Sequence, residues 1–237
     1  MKFYQSKLLN SFANLTHCFT TKQSKNLAFH VEDNGNDVLA NHQKLANKLA
    51  YDLQKLVHMK QIHSNLVKIV NANDNFTNPP TCDALITDKK ETPLIVMVAD
   101  CSPILFYDPK KEIIAVAHAG RAGAFDNIVK NVIESFVHDF NSNPADILAS
   151  VGPAICQKCY EVGEEIAQEA EQKNYGYALE QKGNKYFLNI RSILKKQLRE
   201  NGLNTVHIEI ATECSKCDKR FYSYRENKSC GRFAGVL

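Results

Sequence analysis

Two adjoining stretches, Pro93 to Pro109 and Ile113 to Gly120, leave this chain few architectures. The first opens on an unbroken apolar run, Pro93-Leu94-Ile95-Val96-Met97-Val98-Ala99. It is too short to span a membrane and rich in β-branched residues, so it reads as a strand buried on both faces. Polar chemistry follows at Asp100-Cys101-Ser102. Pro103 interrupts pairing, Ile104 to Tyr107 resumes as strand, and Asp108-Pro109-Lys110-Lys111 turns the chain into a second strand ending at His118. The two strands form a hairpin. A turn centred near Lys110 makes paired residue numbers sum to roughly 220, which sets Ser102 opposite His118 and Cys101 opposite Ala119, to within about one residue. Cys101 and His118 therefore share the hairpin's open end.

The chain then makes a small-residue turn, Gly120-Arg121-Ala122-Gly123-Ala124, and enters a helix at Phe125 or Asp126. Ile128, Val129, Val132, Ile133, Phe136, Val137 and Phe140 form its continuous apolar face. Upstream, His17 to Thr20 reads as a short strand, Val38 to Leu53 as a helix, and Leu56 to Val70 as a strand region whose alternation places Val57, Met59, Gln61 and His63 on one face. Cys82 to Thr87 is a further strand. Downstream come a strand at Ile147 to Val151, a helix from Tyr160 to Gln172, a helix from Arg191 to Glu200 stopped by Asn201-Gly202, and a strand at Thr205 to Ile210. No repeat, linker or low-complexity tract divides them, so residues 1–237 are expected to form one α/β domain.

With 44% hydrophobic residues the chain can bury a sizeable core. Lys and Arg number 29 against 26 Asp and Glu, a net charge of +3. That balance gives no reason to expect a nucleic-acid partner. The first residues lack the apolar core of a secretory signal and no stretch reaches membrane-span length, so a cytoplasmic protein without membrane contact is expected. Eight cysteines in such a compartment read as reduced thiols, metal ligands or a nucleophile rather than disulfides. Cys156-x-x-Cys159 and Cys214-x-x-Cys217 together have the composition of a four-thiolate zinc site, but 54 residues separate the pairs, and incidental thiols are the favoured reading.

Cys101 and His118 suit either a zinc site or a thiol nucleophile with its base. His63 is either a hydrogen-bonded core histidine or the third ligand, which would leave an open position on the metal. Asp100 is either a turn residue or a group that orients His118 or acts as general base. The Gly120 to Gly123 turn is either a simple strand-to-helix turn, the favoured reading, or an anion site where free N–H groups open the helix. His207-x-Glu209 followed by Cys214-x-x-Cys217 echoes a zinc deaminase signature, but the two parts lie too close together and lack the proline. Eight histidines without a His-x-His pair exclude a multicopper cluster, while a His/His/Cys trio suits one blue copper with a weak axial methionine.

Ala99-Asp100-Cys101-Ser102-Pro103-Ile104-Leu105, Ala117-His118-Ala119-Gly120, Val151-Gly152-Pro153-Ala154-Ile155, Cys159-Tyr160-Glu161-Val162-Gly163 and Phe221-Tyr222-Ser223-Tyr224-Arg225 resemble, in order, the blocks of the laccase-domain family, also called YfiH-like or multicopper polyphenol oxidoreductase-like. Gln61-x-His63 and Gly231-Arg232-Phe233-Ala234-Gly235-Val236 extend the resemblance over nearly the whole chain. It implies a layered α/β sandwich with mixed sheets, not a cupredoxin, and a zinc held by His63, Cys101 and His118, with copper the less favoured metal. Asp100, Cys101 and His118 become candidate catalytic groups, and Gly120, Arg121 and Arg225 candidate substrate or phosphate contacts. The implied activities are phosphorolysis of purine nucleosides and deamination of adenosine. The alternatives are copper-dependent polyphenol oxidation, peptidoglycan-precursor editing, and a zinc-bearing binding protein without catalysis. The family usually reads His-Ala-Gly-Trp-Arg-Gly where this chain has His118-Ala119-Gly120-Arg121-Ala122-Gly123, so the tryptophan is lost and the arginine sits one position early.

Overall fold

The structure, a computed structural model, describes residues 1–237. In chain order it contains β1 (Cys18–Phe19), α1 (Gly35–Leu49), β2 (Val67–Ile69), β3 (Ala84–Thr87), β4 (Ile95–Val98), β5 (Ser102–Asp108) and β6 (Ile113–Ala119). These are followed by α2 (Arg121–Phe125), α3 (Ile128–Phe140), β7 (Leu148–Val151), β8 (Glu161–Val162), α4 (Glu164–Gln172), β9 (Leu179–Lys182), β10 (Lys185–Leu188), α5 (Ile190–Glu200), β11 (Ile208–Ile210) and β12 (Phe233–Val236). The central sheet runs β11-β7-β5-β6-β3-β2, with β11 parallel to β7, β2 parallel to β3 and the other neighbours antiparallel. A second sheet, β1-β12-β4, and a small β8-β10-β9 sheet complete a mixed α/β fold.

Alternation along β5 and β6 sends side chains to two cores. Ile104, Phe106, Ala115 and Ala117 pack against α3 and α5 through Val129, Val132, Phe136, Ile193 and Leu194, while Leu105, Tyr107 and Val116 pack toward β4 and β12 through Val96, Val98 and Phe233. A third cluster closes the far side of the second sheet with Leu45 and Ala46 of α1 against Met97 and Ala234. Buried on both faces, β5 and β6 read as nearly unbroken apolar runs.

The hairpin forms with Ser102 opposite Ala119 and Pro103 opposite His118, one residue from the expected register. Pro103 does not break the strand: its carbonyl accepts from the Gly152 amide at 2.8 Å, a bond that needs no proline N–H. The apolar run before it leaves the hairpin altogether, since β4 pairs with β12 in the second sheet. The turn after His118 is a helical turn of its own, α2, and Asn127 then caps α3 by accepting from the Lys130 amide. The helix expected from Tyr160 begins at Glu164, because Glu161 and Val162 pair with β10, and the β9–β10 hairpin was not anticipated. No helix is long and apolar enough to cross a membrane.

Between α1 and the second sheet lies a buried imidazole, His42, whose Nε2 meets the Leu27 carbonyl at 2.7 Å. Its ring stacks on Phe29 and meets the edge of Phe76. Burial pulls its pKa down to about 4, against the opposing pull of the Leu27 carbonyl and helped by nearby His58. The folded pKa lies below the unfolded one, so between pH 6.5 and 4 the unfolded chain binds a proton that the folded chain refuses. Stability therefore falls with acidification, by about 3 kcal/mol from His42 over that window. Urea unfolding at pH 7, 6 and 5 is expected to show this slope, flattened in His42→Asn. An unchanged slope in that variant would assign the acid sensitivity elsewhere.

Candidate metal centre

The open end of the hairpin gathers three ligand atoms. Cys101 precedes β5, His118 lies near the end of β6, and His63 comes from the loop before β2; their donor atoms all lie within 4.8 Å of one another. His118 is buried, Cys101 is partly exposed and His63 faces solvent, so the trio opens to the outside at His63. The two imidazoles meet edge to face with ring centres 4.7 Å apart.

His63 is not on a strand. Its backbone adopts φ +61° in a bend, and Asp83, just before β3, holds that bend closed. The fully buried Asp83 carboxylate accepts from the amides of Ile62 (3.2 Å), His63 (3.0 Å) and Ser64 (2.7 Å) and from the Ser64 hydroxyl (2.7 Å). The same carboxylate lies 2.8 Å from Nδ1 of His118, which fixes the protonated nitrogen there and turns Nε2 toward the centre. Gln61 ties the loop to β4, donating to the Met97 carbonyl at 2.8 Å and accepting from the Met97 amide at 3.0 Å. The Gln-x-His pattern thus has a mechanical reading: one residue docks the loop and the next but one presents the imidazole.

The role of orienting His118, one of the readings open to Asp100 from sequence, belongs to Asp83. Asp100, at φ +84°, instead accepts from Ser215 Oγ at 2.6 Å, Ser223 Oγ at 3.1 Å and the Arg225 amide at 2.6 Å. It fastens the strand end carrying Cys101 to the tail of the chain. Gly120 is a neighbour of the centre. A Cβ there would lie 3.1 Å from Cys101 Sγ and 3.1 Å from His63 Cδ2, so the absent side chain is what lets the trio close. Arg121 pairs with Glu169 at 2.5 Å, and Arg225 donates to the Glu161 carbonyl at 2.9 Å while lying over the Tyr160 ring at 5.2 Å.

Electrostatics make the thiol a ready ligand. Burial alone would raise the Cys101 pKa, but the neighbouring charge and hydrogen bonds of His118 and His63 bring it down to about 6. Burial likewise opposes a charge on His118, yet Cys101 and Asp83 raise it to about 9. The shifts favour the thiolate and imidazolium forms of the pair, and a metal held there would be bound by Cys101 as thiolate and by His118 through its deprotonated nitrogen.

Two imidazoles and an activated thiolate converge at one sheet end, with an aspartate fixing one ring, and give a mixed α/β scaffold of non-cupredoxin architecture a candidate metal site. The chain belongs to the family described as "Multi-copper polyphenol oxidoreductase laccase", which matches residues 16–237. It is 34% identical over 215 residues to a purine nucleoside phosphorylase of Corynebacterium glutamicum, covering 90% of this chain and 86% of that one. It is 31% identical over 230 residues to purine nucleoside phosphorylase YlmD of Bacillus subtilis, covering 89% and 83%. The crystal structure of YlmD from Geobacillus stearothermophilus superposes with a TM-score of 0.88 at 28% identity, covering 95% of this chain and 92% of that one. That of the Bacillus licheniformis hypothetical protein YfiH gives 0.87 at 27%, covering 93% and 91%. The chain is thus a member of an enzyme family with a candidate metal site.

These matches correct the choice of metal. Zinc was expected with copper second, but the family description is that of a copper protein, and a donor set of two histidines and one cysteine is the arrangement of single-copper sites. The centre is read here as a copper-type site.

Proposed function

We propose that the chain acts on purine nucleosides and phosphate at the centre built from His63, Cys101 and His118. Support comes from relatives named as purine nucleoside phosphorylases and from the surface beside the centre. The Tyr160 ring lies under the Arg225 guanidinium, 5.2 Å from its centre, and Arg225 also bonds the Asp100 carboxylate next to Cys101 through its amide. Arg225 also lines a groove of about 500 Å³, together with Lys158, Lys216, Cys159 and Glu161. An aromatic face suits a purine, and converging cations suit phosphate.

In phosphorolysis a phosphate oxygen bonds to the ribose carbon as the glycosidic C–N bond breaks. The base leaves with the bonding pair and takes up a proton. Arg225 and the lysines hold the phosphate, Tyr160 supports the base, and Asp83 keeps His118 in one orientation. Bound at the three ligands, a copper-type ion would supply positive charge beside the reacting sugar. Asp100 acts here as a positioning residue, and Gly120 as the space the centre needs.

A second reading has its own support. The family description and the donor set favour oxidation of phenols at copper over a zinc-dependent nucleoside reaction. One experiment separates the two. Copper-loaded wild-type protein and His63→Ala are incubated with inosine and phosphate, and in parallel with a phenol under an oxygen electrode. Free base and ribose 1-phosphate from the wild type, reduced at least tenfold in the variant, support phosphorolysis. Oxygen uptake without base release moves the assignment to the oxidase, and turnover of neither substrate rejects both.

A further inference from the structure

A second group of thiols stands apart from this centre. Cys156, Cys159, Cys214 and Cys217 come from two turns 54 residues apart, and their four sulfurs lie within 4.8 Å of one another. The first turn is closed by the Cys159 amide on the Cys156 carbonyl at 3.0 Å, the second by the Asp218 amide on the Cys214 carbonyl at 2.8 Å. Backbone contacts lock the two turns together. Ala154 and Cys214 bridge in parallel, the Ser215 amide donates to the Ala154 carbonyl at 2.9 Å, and the Cys156 amide points at Cys214 Sγ at 3.2 Å. Arg191 clamps them from behind, its guanidinium donating to the carbonyls of Ala154, Thr212 and Glu213.

We propose that these four cysteines form a closed structural site for one thiophilic metal ion. Four sulfurs around an ion at bonds of about 2.3 Å stand about 3.8 Å apart, within the spread observed. None of the four is disulfide-bonded, and Cys159 and Cys217 approach to 3.3 Å, well beyond the bond length of about 2.05 Å. As the ion binds, each thiol releases its proton to solvent and one metal–sulfur bond forms in its place, with no change of oxidation state. The wide spacing along the chain, which spoke against such a site, is spanned by the fold.

The ion would brace the catalytic end of the protein. Ile155, next to Cys156, donates its amide to the Asp100 carbonyl at 2.9 Å, and Ser215, next to Cys214, bonds the Asp100 carboxylate at 2.6 Å. Both turns therefore hold the residue preceding Cys101. The site does not depend on the reaction assigned above, and its failure would leave that reading standing.

The test uses full-length protein, reduced, stripped by chelator and titrated with Cd²⁺ in a Cys101→Ser background, which removes the thiolate of the other centre. The expected result is one Cd²⁺ per chain with the ultraviolet charge-transfer band and cadmium-113 resonance of a four-thiolate site. Its affinity should fall at least 100-fold in the added Cys159→Ser or Cys217→Ser changes. Cys217 is exposed, so that variant is expected to keep the wild-type circular dichroism. No Cd²⁺ retained, retention unchanged by either serine variant, or a Cys159–Cys217 disulfide mapped in freshly isolated protein would each overturn the proposal.

Discussion

Replacing Asp83 with alanine is expected to lower the stability of the protein by about 3–5 kcal/mol and its affinity for a metal at the His63 centre by 10- to 100-fold. Five donors converge on this one buried carboxylate, three of them amides of consecutive residues. Alanine leaves them facing an apolar wall, and each orphaned donor costs about 1–3 kcal/mol before relaxation. The His63 loop loses its closure and His118 its fixed ring orientation. Burial works against the charge on Asp83, but the His118 hydrogen bond and the Ser64 donors carry its pKa down to about 2. The sign follows: the folded pKa lies below the unfolded one, so the contribution is present above about pH 4 and is lost as pH falls through about 2. Asp83→Asn is therefore expected to flatten the acid limb of the stability profile while keeping more structure than Asp83→Ala. Urea unfolding and competition with a chromogenic chelator measure the two effects. A variant with unaltered metal affinity would show that the ring needs no such partner.

The second large effect is expected at Cys101. Cys101→Ala removes the anionic ligand and leaves two imidazoles, one exposed, to hold the ion. If a metal supplies several kcal/mol of transition-state stabilisation, kcat/KM should fall by roughly 10³-fold or more. Structural cost should be small, because the cysteine is only partly buried. The depressed thiol pKa adds an independent readout. In metal-free protein, alkylation of Cys101 should rise through a midpoint near pH 6, where an ordinary thiol has a midpoint near 9. Saturating metal should suppress it. Full turnover in Cys101→Ala would place the reaction elsewhere on the molecule.

Much of this arrangement is legible in the sequence. The hairpin register came within one residue because a tight turn leaves little freedom, and the apolar face of α3 follows directly from its spacing. The proximity of Cys101 and His118 follows from that register. His63 was harder: alternation assigned it to a strand, whereas a positive φ and three amide bonds to Asp83 make it a bend. Local pattern cannot reveal a partner twenty residues away in sequence. Asp83 leaves one sign in the sequence, an acidic residue directly before the four buried positions of β3. Asp100 drew attention by adjacency to Cys101 and is turned toward the chain's tail instead. The four cysteines show the same limit in reverse, since only the fold makes Cys156 and Cys214 neighbours.

The pairing of β4 with β12 bears on the order in which the molecule is made. Ile95 finds its sheet partner in Val236, and the Asp100 carboxylate finds its donors among residues 215 to 225, so the strand leading to Cys101 is synthesised long before the strand that pairs with it. Until the last strand emerges, that strand keeps a free edge, and its cysteine remains open to oxidants and stray ions. A chain cut short before Phe233 would carry every ligand of the centre yet lack the strand that seats one of them. Maturation of the site is in this sense a late event, timed by the tail.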